Sequence, residues 1–245
     1  DSRVAEDALR EAAANLADPD VAAVTGQNAE VLGGSRVEEG YRGIQAHVQT
    51  LESHLDSTLI FHGPFSAFEN DAIVPLDPNS LADDTELALK IRRNGKRVLF
   101  DPAIRYKEAA HSGFTNRRKQ KDRRGMGLVR LLVQHRDALG HYGRYGRVVL
   151  PFNWFYMVVS PWLVALSVFL VTAAAVSWVG SPGLGVLLAL AVFVWLGQRD
   201  ALGPIQPLYA LFDTQVSLLR ASVDLLRGKG DGTWEVDAEL REAYE

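Results

Sequence analysis

At 245 residues, 47% of them hydrophobic and 23% charged, the chain is long enough for one large domain or for a domain with an appendage. It has no cysteine, which excludes disulfides, cysteine-ligated zinc and thiol catalysis. The net charge of −4 and the mean hydropathy of −0.03 average unlike parts. No charged residue occurs from Val148 to Gln198, whereas ten Arg or Lys from Arg117 to Arg147 stand against only Asp122 and Asp137, a local balance of +8. An uncharged run of that length is too long for a core helix and predicts membrane spans.

In chain order, Val4 to Leu16 is an alanine-rich stretch with Leu9, Ala12, Ala13 and Leu16 at helical spacing, ended by Asp18-Pro19-Asp20. Val21 to Thr25 predicts a buried strand and Ala29 to Leu32 a second, with Gly26 and Gly33-Gly34 as turns. A longer helix from Arg36 to His54 and a short strand near Phe65 to Phe68 follow. Asp83-Asp84 open another helix, in which an Asp side chain can cap free N–H groups; Leu87, Ala88 and Ile91 give it an apolar face and Asn94-Gly95 end it. A strand at Arg97 to Phe100 comes next. This alternation predicts an α/β domain with a mixed sheet.

The run Asp83-Asp84-Thr85-Glu86-Leu87, then a helix, then Asn94-Gly95-Lys96-Arg97 and Asp101-Pro102, resembles the acidic motif and following helix and strand of family 2 glycosyltransferases. In that family the second acid is the catalytic base, and Asp84 matches it. Asp83 beside it would raise its pKa by like charge or touch the acceptor itself. The segments Asp1-Ser2-Arg3-Val4 and Asp18-Pro19-Asp20-Val21-Ala22-Ala23-Val24-Thr25-Gly26 look like the family region just after its metal-binding Asp-x-Asp, which puts Asp1 on the last Asp. A departing diphosphate carries charge that Mg²⁺ or Mn²⁺ neutralises, and such hard cations take carboxylate oxygens. Read alone, Asp1 is a polar terminus. On this alignment the donor-binding strands precede Asp1, so the chain is expected to be the C-terminal part of a GT-A (nucleotide-diphospho-sugar transferase) domain, N-terminally incomplete.

Phe61-His62-Gly63-Pro64-Phe65 resembles the family loop that contacts acceptor and donor sugar, which assigns His62, Gly63 and Phe65 to acceptor binding. A glycine lets backbone approach a sugar, and aromatic rings stack on its apolar face; the alternative is a Gly-Pro turn with aromatics in the core. Gln120, Arg123 and Gly127 match the Gln-x-x-Arg-Trp motif and its trailing Gly, which assigns Gln120, Arg123 and, more weakly, Arg124 to the donor diphosphate. Arg124 stands where the motif has Trp, which removes an acceptor-stacking platform. Without the family, the same basic run is a juxtamembrane cluster that attracts anionic lipid.

Leu128 to Leu139 alternates apolar residues with Arg130, Gln134, His135 and Arg136 and predicts a basic helix in the membrane interface, with His135 and His141 interfacial. The uncharged run breaks at Gly180-Ser181-Pro182-Gly183, which predicts a hairpin of two spans, Phe155 to Val179 and a shorter Gly185 to Gly197. The basic residues before the first span put that side in the cytoplasm. Pro204 to Leu226 carries Asp213, Arg220 and Asp224 and predicts a second interfacial helix; the Trp234 region resembles the family's cytoplasmic tail.

Together these give residues 1–124 as the glycosyltransferase part, 125–147 as the interfacial helix and connector, 148–202 as the two-span region, and 203–245 as interfacial helix and tail. The resemblance is to membrane-bound, processive-type polysaccharide synthases such as cellulose, hyaluronan and chitin synthases. It implies a multi-pass cell-membrane enzyme with its catalytic domain in the cytoplasm. The expected reaction is inverting transfer from a nucleotide-diphospho-sugar to a glycan or lipid-linked acceptor, with membrane lipids and no nucleic acid as partners. The alternatives are single-sugar transfer to a dolichyl- or undecaprenyl-phosphate type of lipid carrier, or a catalytically incomplete membrane fragment.

Overall fold

The computed structural model describes residues 2–32, 36–109 and 114–229. Asp1, Gly33-Gly34 and the Trp234 tail therefore lie outside the described residues. In chain order the elements are β1 (Ser2–Val4), α1 (Ala8–Leu16), β2 (Val21–Leu32), α2 (Arg36–Leu55), β3 (Ser66–Phe68), α3 (Asp83–Arg93), β4 (Arg97–Ala109), α4 (Phe114–Gln134), α5 (Leu150–Trp154), α6 (Ser160–Val179), α7 (Gly185–Gln198) and α8 (Gln206–Leu226). The sheet is mixed, in the order β1-β4-β2-β3. β2 and β4 run parallel at its centre, with β1 antiparallel to β4 and β3 antiparallel to β2.

Three local expectations are corrected. The first helix begins only at Ala8, because the residues before it pair with β4 as an edge strand and the Ala5 N–H bonds the Arg105 carbonyl at 2.9 Å. The predicted turn at Gly26 does not exist. β2 is one continuous strand, and Gly26 serves close approach instead: a Cβ there would run into the Ile104 backbone. The register at this point moves from Gly26 opposite Asp101 to Gln27 opposite Arg105, so Pro102, with no N–H to offer a ladder, sits in a bulge of β4. β4 continues past Phe100 to Ala109, with Ile104, Tyr106 and Glu108 buried and Arg105 and Lys107 exposed between them.

Each face of the sheet is covered by a helix; α3 buries the Ala88 and Ile91 read from its spacing, whereas α1 turns a different face inward from the one expected, with Leu9 73% exposed and Ala13 exposed while Ala8 and Ala12 are buried. Ala8 and Ala12 of α1 pack with Val24, Ile104, Tyr106 and Phe65. Ala88 and Ile91 of α3 pack on the opposite side with Ala22, Ala23, Val98 and Phe61. α3 ends as predicted, with Asn94 as C-cap and Gly95 at φ 99°.

A third core joins the sheet domain to the helices that follow. Val129, Leu131 and Leu132 of α4 pack with Leu59 and Leu89, with Tyr145, Val149, Leu150 and Met157, and with Leu218 and Ala221 of α8. Of the amphipathic Leu128–Leu139 stretch, the part up to Gln134 thus ends a longer helix, where Val129, Leu131 and Leu132 are covered by protein and Val133 is exposed. α4 runs unbroken across residues 124 and 125 and ends at Gln134. His135 lies against Arg93, Nδ1 to Nη1 3.1 Å. α8 likewise packs on protein, burying Thr214, Ser217, Leu218, Ala221 and Ser222.

Beyond this core the chain becomes apolar and exposed. π-helical turns at Tyr145–Val149 and Phe155–Val159 flank α5 and join it to α6, giving one helix, Tyr145–Val179, of 35 residues. Met157 is buried in the core, so the expected span start at Phe155 falls in the docked stem, and exposed Trp162, Leu166, Phe169 and Leu170 mark α6. The hairpin turn forms at Ser181–Leu184, and Ser181–Gln198 gives a second helix of 18 residues. Both are long and apolar enough to cross a membrane.

Candidate active site

A cavity of about 660 Å³ opens between the N-terminus of α3, the Phe61–Pro64 loop, the ends of β2 and β4, and α4, and reaches Tyr156, Met157, Gly197 and Tyr209. It brings together Asp83, Asp84, His62, Gly63, Gln120, Arg123 and Arg124. Phe65 is not among its lining residues; its ring is buried with Val24, Ile104 and Tyr106, so for this aromatic the core alternative holds.

The acid wall is the first turn of α3. Ala82 is its N-cap and no side chain caps from that position, so the expected capping by an Asp at the helix start is replaced by a bond within the turn. Asp84 Oδ1 accepts the Thr85 N–H at 2.6 Å. Burial raises the Asp84 pKa and Asp83 adds to the rise, against the opposing pull of the Thr85 N–H and of Arg124. A carboxylate held in that state is a better proton acceptor than an exposed one. Asp83 next to it is exposed.

The loop is pinned beside this acid from several directions. Thr25 Oγ1 donates to the Phe65 carbonyl at 2.8 Å and accepts the His62 N–H at 3.1 Å. Thr85 Oγ1 accepts the Phe61 N–H at 3.2 Å. A Cβ on Gly63 would stand 3.5 Å from Asp84 Oδ2, so the backbone here is next to the acid. Gln49 Nε2 donates to the Ile60 carbonyl at 2.7 Å, which turns Gln49 Oε1 toward His62 Nε2 at 3.0 Å. An amide oxygen there requires the hydrogen on Nε2. Burial, reinforced by Arg124 and Arg42, lowers the His62 pKa to about 4. At neutral pH His62 is a neutral ring that donates to Gln49 and is no general acid.

The basic wall is the first half of α4. Gly127 sets its distance from the acids: a Cβ there would lie 2.8 Å from the Leu81 carbonyl oxygen, just before α3. The helix backbone therefore rests on the α3 entry, and Arg123 and Arg124, one turn earlier, line the cavity with Asp83 and Asp84. Arg124 Nη2 donates to Glu108 Oε1 at 2.6 Å, and Arg42 Nη1 to Glu108 Oε2 at 3.1 Å. Burial works against ionisation of Glu108, but Arg124 and Arg42 outweigh it and hold the carboxyl below the usual range. Arg118 and Lys121 both reach Asp213 of α8 at 2.7 Å. Arg118, Lys121 and Arg124 are thus turned inward onto protein carboxylates, not displayed as a lipid-facing patch.

Sequence reasoning missed Glu108, Arg42, Gln49 and Asp213. Glu108 was signalled by the period-two pattern Ile104, Tyr106, Glu108, which extends β4 past Phe100. Asp213 was signalled only as an acid on an otherwise apolar helix.

For the metal expectation, Asp1 lies outside the described residues, and among the described residues no group of three or more His, Asp or Glu is placed to hold an ion. The described side chains thus do not supply a complete ligand set.

The fold is that of a GT-A glycosyltransferase. The chain aligns over 92% of its length, with a TM-score of 0.68 and 22% identity, to the mannosyltransferase PcManGT from Pyrobaculum calidifontis, solved in complex with GDP-Man and Mn²⁺. It spans 59% of that protein. Residues 1–196 match the family model described as glycosyl transferase family group 2, and the chain belongs to this family. Among curated proteins, none matches it.

Proposed function

We propose that this chain is part of a membrane-bound enzyme that transfers a sugar, with inversion, from a nucleotide-diphospho-sugar to a hydroxyl of a glycan or lipid-linked acceptor. The observation that carries this reading is Asp84: a half-buried acid with a raised pKa, beside a glycine loop, on a cavity whose other wall carries Arg123 and Arg124. Asp84 takes the proton of the acceptor hydroxyl as its oxygen bonds to the anomeric carbon, while the bond from that carbon to the diphosphate breaks with its electron pair. Gln120, Arg123 and Arg124 meet the charge that appears on the departing diphosphate. Asp83, His62 and Gly63 position the acceptor. A divalent cation, Mg²⁺ or Mn²⁺, would add charge neutralisation at the diphosphate, with Asp1 as a ligand; the GDP-Man and Mn²⁺ complex of PcManGT supports this. The two apolar helices and the basic residues before them support a multi-pass membrane protein with the catalytic domain in the cytoplasm.

A second reading, transfer of one sugar to a lipid phosphate, is favoured by Arg124 in place of Trp and by the cavity's extension to Tyr156, Met157 and Tyr209. The two differ in chemistry, because a phosphate acceptor is already ionised and needs no base. Nucleotide release by the full-length protein over a panel of sugar nucleotides tests both. With a hydroxyl acceptor, Asp84→Asn lowers the rate by about 10²–10⁴. A near-normal rate would refute the base and favour the phosphate acceptor.

A further inference from the structure

The cavity and the exposed helices are joined by a buried polar seam that the reaction above does not use. Gln49 and Glu52 share one face of α2 at helical spacing, and Asp56 follows directly after the end of the helix. Glu52, 6% exposed, is bonded on both oxygens: Oε2 accepts Thr58 Oγ1 at 2.9 Å and the Leu59 N–H at 3.1 Å, and Oε1 accepts Asn153 Nδ2 at 2.6 Å. Asn153, 4% exposed, belongs to the short α5 between the two π-helical turns, and its Nδ2 also donates to the Val149 carbonyl at 2.9 Å. Just past the end of α2, Asp56 Oδ2 accepts the Tyr145 N–H at 3.1 Å, at the start of the helix that carries Asn153.

The loop side of this seam leads directly to the acid. From Leu59 the chain passes through Ile60, whose carbonyl Gln49 holds, to Phe61, whose N–H is held by Thr85, the residue after Asp84. Burying a carboxylate is costly, and an apolar pair would fill the same space with less penalty. What a polar pair adds is register, since it is satisfied at one rotation and height of the helix. π-helical turns are rare and shift which residues face a neighbour, and here they bracket the segment that presents Asn153 to Glu52.

We infer that Glu52, held by Asn153, is a positioning residue that makes the geometry of the loop beside Asp84 depend on how the stem of the apolar hairpin is seated. Only the consequence for rate rests on the proposed role of Asp84; the coupling itself is structural and is read separately.

The test is hydrogen exchange on the full chain in detergent, with nucleotide-release kinetics beside it. Asn153→Leu should speed exchange at the Leu59 and Phe61 amides by about ten-fold or more, as expected when a buried acceptor is left without its donor. The Val24 amide in the sheet should be unchanged. In kinetics the maximal rate should fall with the donor KM kept. Should Asn153→Leu not fold, Asn153→Ser, whose shorter side chain falls short of Glu52, gives the same readout. Loop amides at the wild-type rate, or loop and sheet amides speeding together, would overturn the inference. Loosened loop amides alongside an active Asp84→Asn would leave it standing and refute the base instead.

Discussion

The two walls of the cavity treat charge in opposite ways. On the acid wall, Asp84 has the Thr85 N–H as its hydrogen-bond donor, and among the described residues neither it nor Asp83 enters an ion pair. On the basic wall, Arg124 is tied to Glu108, and Arg118 and Lys121 to Asp213. A general base has to keep its affinity for a proton, and a neighbouring cation in contact would lower it. Groups that stabilise a charge appearing late in the reaction act best when they are already fixed in place. The comparison thus separates a wall set for basicity from one set for preorganisation.

The largest expected effect breaks the acid side. Asp84→Asn should cost about 10²–10⁴ in rate and Asp83→Asn much less, measured as nucleotide release; the reverse order would move the base one residue back. The stability sign is the opposite. A folded pKa raised above the ordinary 3.8 means that ionising Asp84 costs stability as pH rises through and above that value. Asp84→Asn should therefore gain in thermal stability relative to wild type as pH rises above the ordinary 3.8, as calorimetric melts would record.

The next effects concern the spacing and fixing of the basic wall. Gly127→Ala puts a Cβ 2.8 Å from the Leu81 carbonyl oxygen and should cost about 1–3 kcal/mol, with lowered transfer because both walls meet there. Glu108→Gln removes the carboxylate between Arg42 and Arg124 and should cost about 2 kcal/mol, seen as a lower denaturant midpoint and a higher donor KM. The smallest effect is a control away from the cavity. Arg10 pairs with Glu11 at 3.0 Å with its own side chain 75% exposed, so Arg10→Ala should cost no more than about 1 kcal/mol and less at high salt.

The same contrast accounts for what was legible in the chain. α3, its capping Asn94-Gly95 and the hairpin turn at 180–184 follow from local spacing and turn chemistry, and they stand where the sequence put them. The positions of Asp84, Arg123 and Gln120 on one cavity followed from the order of their motifs. What failed was non-local. Gly26 carries the mark of a turn, yet its role is set by Ile104 in a distant strand. The basic run reads as a lipid-facing cluster until α8 supplies Asp213 and β4 supplies Glu108. Phe65 is an aromatic in a sugar-loop pattern, but its ring completes the core under α1. In each case the deciding partner lies on another element, from 16 residues away for Glu108 and Arg124 to 95 for Arg118 and Asp213, where no spacing rule reaches.

The central claim, that Asp84 is the base, is met most directly by the pH dependence of nucleotide release in the full-length protein, wild type against Asp84→Asn. The rate in wild type should climb with pH along a limb whose midpoint lies above the ordinary carboxylate value of 3.8. In the variant that limb should be gone, leaving a low, flat rate. A variant that keeps both the limb and the wild-type rate would contradict the assignment.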